Sequence, residues 1–232
     1  MKTLLLIFSI LLSVSKASAA PTVLVTSFEP FYGARTNNSM NVADELESQL
    51  RTAGYKVETC LLPVVYDQAA ERAKECFNRI SPAPSIVISL GEAYCDLEVE
   101  DIVYNQDATP GVPDNAGVIR VAQSIVSGAE KYLSLTPLAS RLYCALDDRT
   151  RAKVQPSSSA ANFVCNNTGF RLGLHFRAMR VPYDFIHVPN HNCGIAAADS
   201  AAKITSMIAG AHNKPTDSCI ADFKSRAAAH KY

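Results

Sequence analysis

The segment Ser85-Ile-Val-Ile-Ser-Leu most narrows the folds open to this chain. It is short and continuously apolar, without the alternation of a half-wet strand, and Gly91 follows it at once. Such a run suits a strand buried on both faces, in the middle of a parallel sheet. Parallel strands need long crossovers, and helices usually supply them. The flanking patterns fit. Strands are expected at 23–26, at 56–62 with Pro63 closing it, at 152–155 and at 184–188. Helices are expected at 41–52, where Val42, Leu46 and Leu50 fall at helical spacing, and at 67–80, 137–148, 162–177 and 195–211. Residues 94–134 read as irregular, punctuated by Pro110, Gly111, Pro113, Asp114, Asn115 and Gly117. The pattern predicts one three-layer α/β/α domain, a mostly parallel twisted sheet with helices on both faces. A length of 232 residues, 48% of them hydrophobic, is enough for one sizeable core.

The first nineteen residues stand apart. Met1 and Lys2 precede a short apolar run, and Ala17-Ser18-Ala19 forms a small-x-small cleavage site. This is the pattern of a signal peptide, and the apolar run is short for a bilayer span. The expected mature domain is therefore 20–232, in a secretory or lumenal compartment, or the periplasm of a bacterium. Removing Lys2 and Lys16 leaves a formal charge of −2. No basic stripe marks a nucleic-acid partner, no membrane span is expected after processing, and a homo-oligomer is left open.

Seven cysteines fit an oxidising compartment: Cys60, Cys76, Cys95, Cys144, Cys165, Cys193 and Cys219. Six can make three disulfides and leave one thiol free. Cys193 and Cys219 flank the last expected helix and are expected to pair. No cysteine spacing resembles a zinc site, so no metal is expected.

Cys165 is the expected free thiol. It lies in Ser-Ala-Ala-Asn-Phe-Val-Cys-Asn (159–166), where a helix begins, and His187 follows 22 residues later in Phe-Ile-His-Val-Pro. A helix N-terminus favours a thiolate, and a neighbouring imidazole activates it. Open α/β sheets bind ligands at the carboxyl ends of their strands. Phe28 and Phe31, the segment 91–105, Cys165 and His187 are all expected at that edge. Two sequons, Asn37-Asn-Ser and Asn166-Asn-Thr, lie beside the same region.

Six motifs in order resemble the pyroglutamyl peptidase type I family of cysteine peptidases. They are Val-Leu-Val-Thr-Ser-Phe-Glu-Pro-Phe-Tyr-Gly (23–33), Leu-Pro-Val-Val-Tyr (62–66), Glu-Asp-Ile-Val-Tyr-Asn (100–105), Val-Pro-Asp-Asn-Ala-Gly (112–117), Phe-Val-Cys-Asn (163–166) and Phe-Ile-His-Val-Pro (185–189). The resemblance implies a phosphorylase/hydrolase-like fold and a Cys-His-Glu triad of Cys165, His187 and Glu100. It implies removal of N-terminal pyroglutamyl residues from peptides, with no metal or organic cofactor. Phe28 and Phe31 would wall the substrate pocket, with Asn37 and Asn166 beside it. Glu98 competes with Glu100, but Glu100 keeps the family's spacing to Asn105.

The sequence also departs from the family pattern. Tyr32 stands before Gly33 where Gly-Gly is usual, and the stretch from Gly91 to Glu100 is about two residues short. Tyr94-Cys95-Asp96 replaces a Gly-rich segment with an Arg. Glu92 stands where some bacterial members have Gln, Gly111 where Arg is frequent, and Ala161 where Gly is usual. The family is usually cytosolic, so a leader and six further cysteines are unusual. Two alternatives follow: another thiol hydrolase or acyltransferase on the same fold, or a secreted binding protein whose Cys165 is disulfide-bonded.

Overall fold

The computed structural model describes residues 20–31, 33–107, 111–158 and 163–230. The expected leader, Tyr32, Pro110 and Ala161 lie outside them. The chain runs β1 (Thr22–Phe28), α1 (Asn38–Thr52), β2 (Lys56–Leu62), α2 (Gln68–Asn78), β3 (Ile86–Glu92), β4 (Leu97–Glu100), β5 (Ile102–Tyr104) and β6 (Tyr132–Ser134). It continues with α3 (Thr136–Cys144), α4 (Asp148–Arg151), β7 (Val154–Ser157), α5 (Val164–Met179), β8 (Tyr183–Val188), a 3₁₀ turn (His191–Cys193), α6 (Ala197–Gly210) and α7 (Asp217–Ala229).

Six strands form one sheet in the order β2-β1-β3-β8-β4-β7, and β5 and β6 make a separate antiparallel ribbon. β2, β1, β3 and β8 are mutually parallel. Their alternate residues feed two cores. Val23, Val25, Ile88, Leu90 and Ile186 pack on one side with Leu46 of α1, Leu142 of α3, Ile204 of α6 and Phe223 of α7. Leu24, Phe28, Val87 and Phe185 pack on the other with Phe77 of α2 and Phe170 of α5. The apolar run at 85–90 is thus the buried strand it was expected to be. Its one polar interior residue, Ser89, accepts a hydrogen bond from Thr26 of β1 at 2.9 Å, which compensates the burial of both hydroxyls.

Several expectations are corrected. The segment 94–134 holds three strands. The expected helix at 137–148 is two, because Asp147 caps a new turn by accepting from the Thr150 N–H at 3.0 Å. α7 had no counterpart in the sequence reading. β4 is antiparallel to β8 and parallel to β7. β7 therefore runs opposite to β8, and its last residue, Ser157, pairs with Glu100.

Cys193 and Cys219 do not pair. The disulfides are Cys60–Cys76, Cys95–Cys193 and Cys144–Cys219. The 14 residues of α6 separate Cys193 from Cys219. That helix is roughly 21 Å long at its normal rise, beyond the ~7 Å Cα reach of a disulfide.

Candidate active site

α5 opens without the side-chain cap that Asn37, Asp147 and Thr216 give to α1, α4 and α7. Its N-cap is Phe163, in extended conformation, with no side-chain hydrogen bond. First-turn N–H groups of a helix have no intrahelical partner. With no capping side chain, they are available to an anionic oxygen. Cys165 sits in this first turn and is the free thiol among the described residues.

His187 lies near the end of β8, which packs beside α5. Its ring lies beside the Cys165 side chain, both of them against Gly91. On the other side its Nδ1 donates to Glu100 Oε1 at 2.7 Å. The imidazole and the carboxylate are both buried. Burial alone depresses the imidazole, yet the hydrogen bonds to Cys165 and Glu100, and the charges of both, raise it well above its ordinary value. Gly91 of β3 makes the approach possible. A Cβ built there would lie 2.9 Å from Phe185, 3.0 Å from Cys165 Sγ and 3.0 Å from the His187 ring.

Cys165 and His187 open onto a cavity of about 290 Å³. Phe28, Phe31, Phe163 and Val64 supply apolar wall, and Glu92, Tyr94, Glu98 and Asn190 complete much of the lining. Phe163 packs at a tilt on Phe31, with ring centroids 5.9 Å apart, and edge-on at 5.6 Å on Tyr66, and the Arg120 guanidinium lies 4.4 Å over Tyr66. A larger groove of about 670 Å³ lies by the amino ends of β3 and β8. Its lining has no thiol or carboxylate, so size does not identify the chemical site.

The expected site residues divide. Glu100, Cys165 and His187 come together, and Phe28 and Phe31 face the cavity. Asn37 lines it too, but its amide is already engaged. Its Oδ1 accepts from the Ser39 N–H at 3.0 Å and its Nδ2 donates to Glu29 O at 3.1 Å. Asn166 is not among the lining residues. Its amide accepts from the Tyr104 N–H at 2.7 Å and donates to Tyr104 O and Gln106 O, holding β5 to α5. Burial of Asn37 and Asn166 also keeps both sequon amides from glycosylation in the folded chain.

Two features were not legible beforehand. Glu92 is a knot of three segments: it accepts from the Asn38 N–H, from Asn190 Nδ2 at 2.5 Å and from His191 Nδ1 at 3.0 Å. Glu98 is almost fully buried and faces the cavity, with its Oε1 3.4 Å from His230 Nε2. Ligand atoms of Glu98, Glu100 and His187 lie within 4.8 Å of one another, a spacing that could seat a cation. The His187–Glu100 hydrogen bond already uses one atom of each, which favours a proton relay.

A thiol at an uncapped helix start, beside a histidine that a buried carboxylate holds, defines a thiol hydrolase on an α/β scaffold. The sequence comparisons narrow this. The family model for pyroglutamyl peptidase matches residues 21–212. A pyrrolidone-carboxylate peptidase of Erwinia tasmaniensis is 29% identical over 170 residues, covering 72% of this chain and 77% of that protein. Pyrrolidone-carboxylate peptidase 1 of Photorhabdus laumondii is 32% identical over 180 residues, covering 72% and 78%. The crystal structure of a mutant pyrrolidone carboxyl peptidase from P. furiosus superposes with a TM-score of 0.72 at 25% identity, covering 82% of this chain and 98% of that one. The chain belongs to the pyroglutamyl peptidase family, and it is a cysteine-type exopeptidase.

Proposed function

We propose that this protein removes N-terminal pyroglutamyl residues from peptides through a covalent thioester on Cys165. The observation that carries the reading is the Cys165–His187–Glu100 relay at the mouth of an aromatic-walled cavity. A pyroglutamyl group carries no charge, because its α-nitrogen is locked in a lactam. A cavity walled by Phe28, Phe31 and Phe163 suits such a ring.

Cys165 gives its proton to His187, and the Sγ thiolate attacks the carbonyl carbon that joins the pyroglutamyl group to the next residue. First-turn N–H groups of α5 receive the developing oxyanion. The C–N bond breaks, His187 gives its proton to the leaving amine, and the pyroglutamyl thioester remains. His187 then takes a proton from water, whose oxygen attacks the thioester and frees the acid and the thiolate. Glu100 keeps the ring oriented and stabilises the imidazolium throughout. A free Cys165 supports this chemistry over the disulfide-bonded binding protein.

An oxidising secretory compartment is part of the proposal. Ala17-Ser18-Ala19 after the apolar run supports it, as do three disulfides among the described residues. No helix among the described residues is long and apolar enough to cross a membrane.

The test is residues 20–232, folded oxidatively and offered a pyroglutamyl-coumarin amide, with Cys165→Ala as control. Release by the wild type, blocked by a thiol alkylator and absent in Cys165→Ala, supports the reading. A folded protein with one titratable thiol and no release overturns pyroglutamyl specificity and favours another thiol acyl-transfer substrate.

A further inference from the structure

α7 lies beyond the residues that match the family, 21–212, yet it is firmly attached. Cys219 is disulfide-bonded to Cys144 at the end of α3. Tyr143 Oη donates to Asp222 Oδ2 at 3.0 Å and accepts from Arg226, which also donates to Val154 O of β7 at 3.0 Å. Phe223 is fully buried against Tyr143. An amphipathic surface helix needs no more than this to stay in place. The end of α7 goes further, to a residue that lines the active-site cavity.

His230 follows α7 directly. Its carbonyl accepts from the Ser158 N–H at 3.5 Å, at the start of the segment that leads to Cys165. Its ring places Nε2 3.4 Å from Glu98 Oε1. Glu98 stands opposite His187 in the antiparallel pairing of β4 with β8. It is a second buried carboxylate beside the one imidazole that the reaction uses. Two carboxylates within reach of one ring can exchange as its partner, and a relay works only if one of them is fixed. A buried carboxylate also costs stability unless donors meet it.

We propose that His230 is a positioning residue of the active site: it anchors Glu98 in the cavity wall, so that His187 stays paired with Glu100. The C-terminal helix, which the family match does not include, is thereby a working part of the catalytic centre. The inference deepens the peptidase reading but does not depend on the identity of the substrate.

The test uses residues 20–232 in five forms: wild type, His230→Ala, His230→Gln, Glu98→Gln and the double variant E98Q/H230A. Two rates are read, turnover of the pyroglutamyl-coumarin amide and alkylation of Cys165 by iodoacetamide, alongside the thermal midpoint. His230→Ala is expected to lower kcat about tenfold, the size of one lost hydrogen bond to a charged group. His230→Gln keeps an N–H donor and is expected to restore most of that loss. In the double variant the carboxylate that His230 would hold is gone, so its rates are expected within about twofold of Glu98→Gln alone. A purely structural helix would lower the midpoint without this coupling. Wild-type rates in His230→Ala, or losses that simply add in the double variant, overturn the proposal. If His230→Ala does not fold, the double variant decides: folded at Glu98→Gln rates it supports the proposal, slower or unfolded it overturns it. If the wild type fails to cleave the amide, the peptidase reading fails alone, and the alkylation rates still test the role of His230.

Discussion

Gly91 shows how closely the reacting groups are fitted. Its backbone is not in the left-handed region, so an alanine there meets a purely steric obstacle. The added methyl would crowd Phe185, Cys165 Sγ and His187 together. Displacing a reacting group by a fraction of an ångström to an ångström can cost about 10²-fold in rate. Gly91→Ala is expected to lower kcat by about that factor, and steady-state kinetics on a folded variant will measure it. Asn166 makes the opposite prediction. Its amide serves Tyr104 and Gln106, so Asn166→Ala is expected to cost about 3 kcal/mol of unfolding free energy while KM stays near wild type. Denaturant melts and kinetics together separate this from a substrate contact. Glu100→Gln removes the charge that helps to raise His187. The ring's NMR titration midpoint is expected to fall, and kcat by about 10²–10⁴-fold. His187 binds its proton more tightly in the fold than when unfolded. The stability this contributes is full below the ordinary histidine range and is lost as pH rises through the raised folded value. The stability gap between wild type and Glu100→Gln should therefore narrow toward alkaline pH.

At the scale of elements, the pocket is assembled from pieces that meet at its lip. The Cys95–Cys193 disulfide ties the segment after β3, which carries Tyr94, to the 3₁₀ turn after β8. Between those pieces Glu92 gathers the start of α1, Asn190 and His191. Removing the disulfide frees this wall and leaves the relay in place. The double variant C95S/C193S is expected to raise KM about fivefold or more with a smaller change in kcat, and to lose about 2–4 kcal/mol of stability. How far each element could be read from sequence follows from where its partners lie. β3 was legible because a continuous apolar run needs no distant partner to explain it. β4 was not, because Glu98-Val-Glu-Asp looks like a solvated loop. Its two carboxylates are buried against His187 and His230, which lie 87 and 132 residues away from them. α7 was not legible because few of its residues, chiefly Phe223 and Ala227, are buried.

At the scale of the molecule, the parallel strands β2, β1, β3 and β8 place Gly91 and His187 side by side, since those two residues are register partners across β3 and β8. The antiparallel β4 then brings Glu98 and Glu100 up against β8 from the other side. α5 delivers the thiol, and its uncapped start leaves donors beside the same point. The triad was legible because its residue types sit in short motifs of recognisable order. The direction of β7 was not, because it depends on how the sheet is closed at its far edge, and the disulfide pairing was not, because each bridge joins elements that only the tertiary fold brings together. If the proposed chemistry holds, Cys165 carries the acyl group during turnover. The direct measurement is mass spectrometry of the protein acid-quenched during reaction with an activated pyroglutamyl ester. One pyroglutamyl group is expected on the peptide containing Cys165, lost on further incubation and absent in Cys165→Ala. Turnover with Cys165 unmodified at every quench time would contradict it.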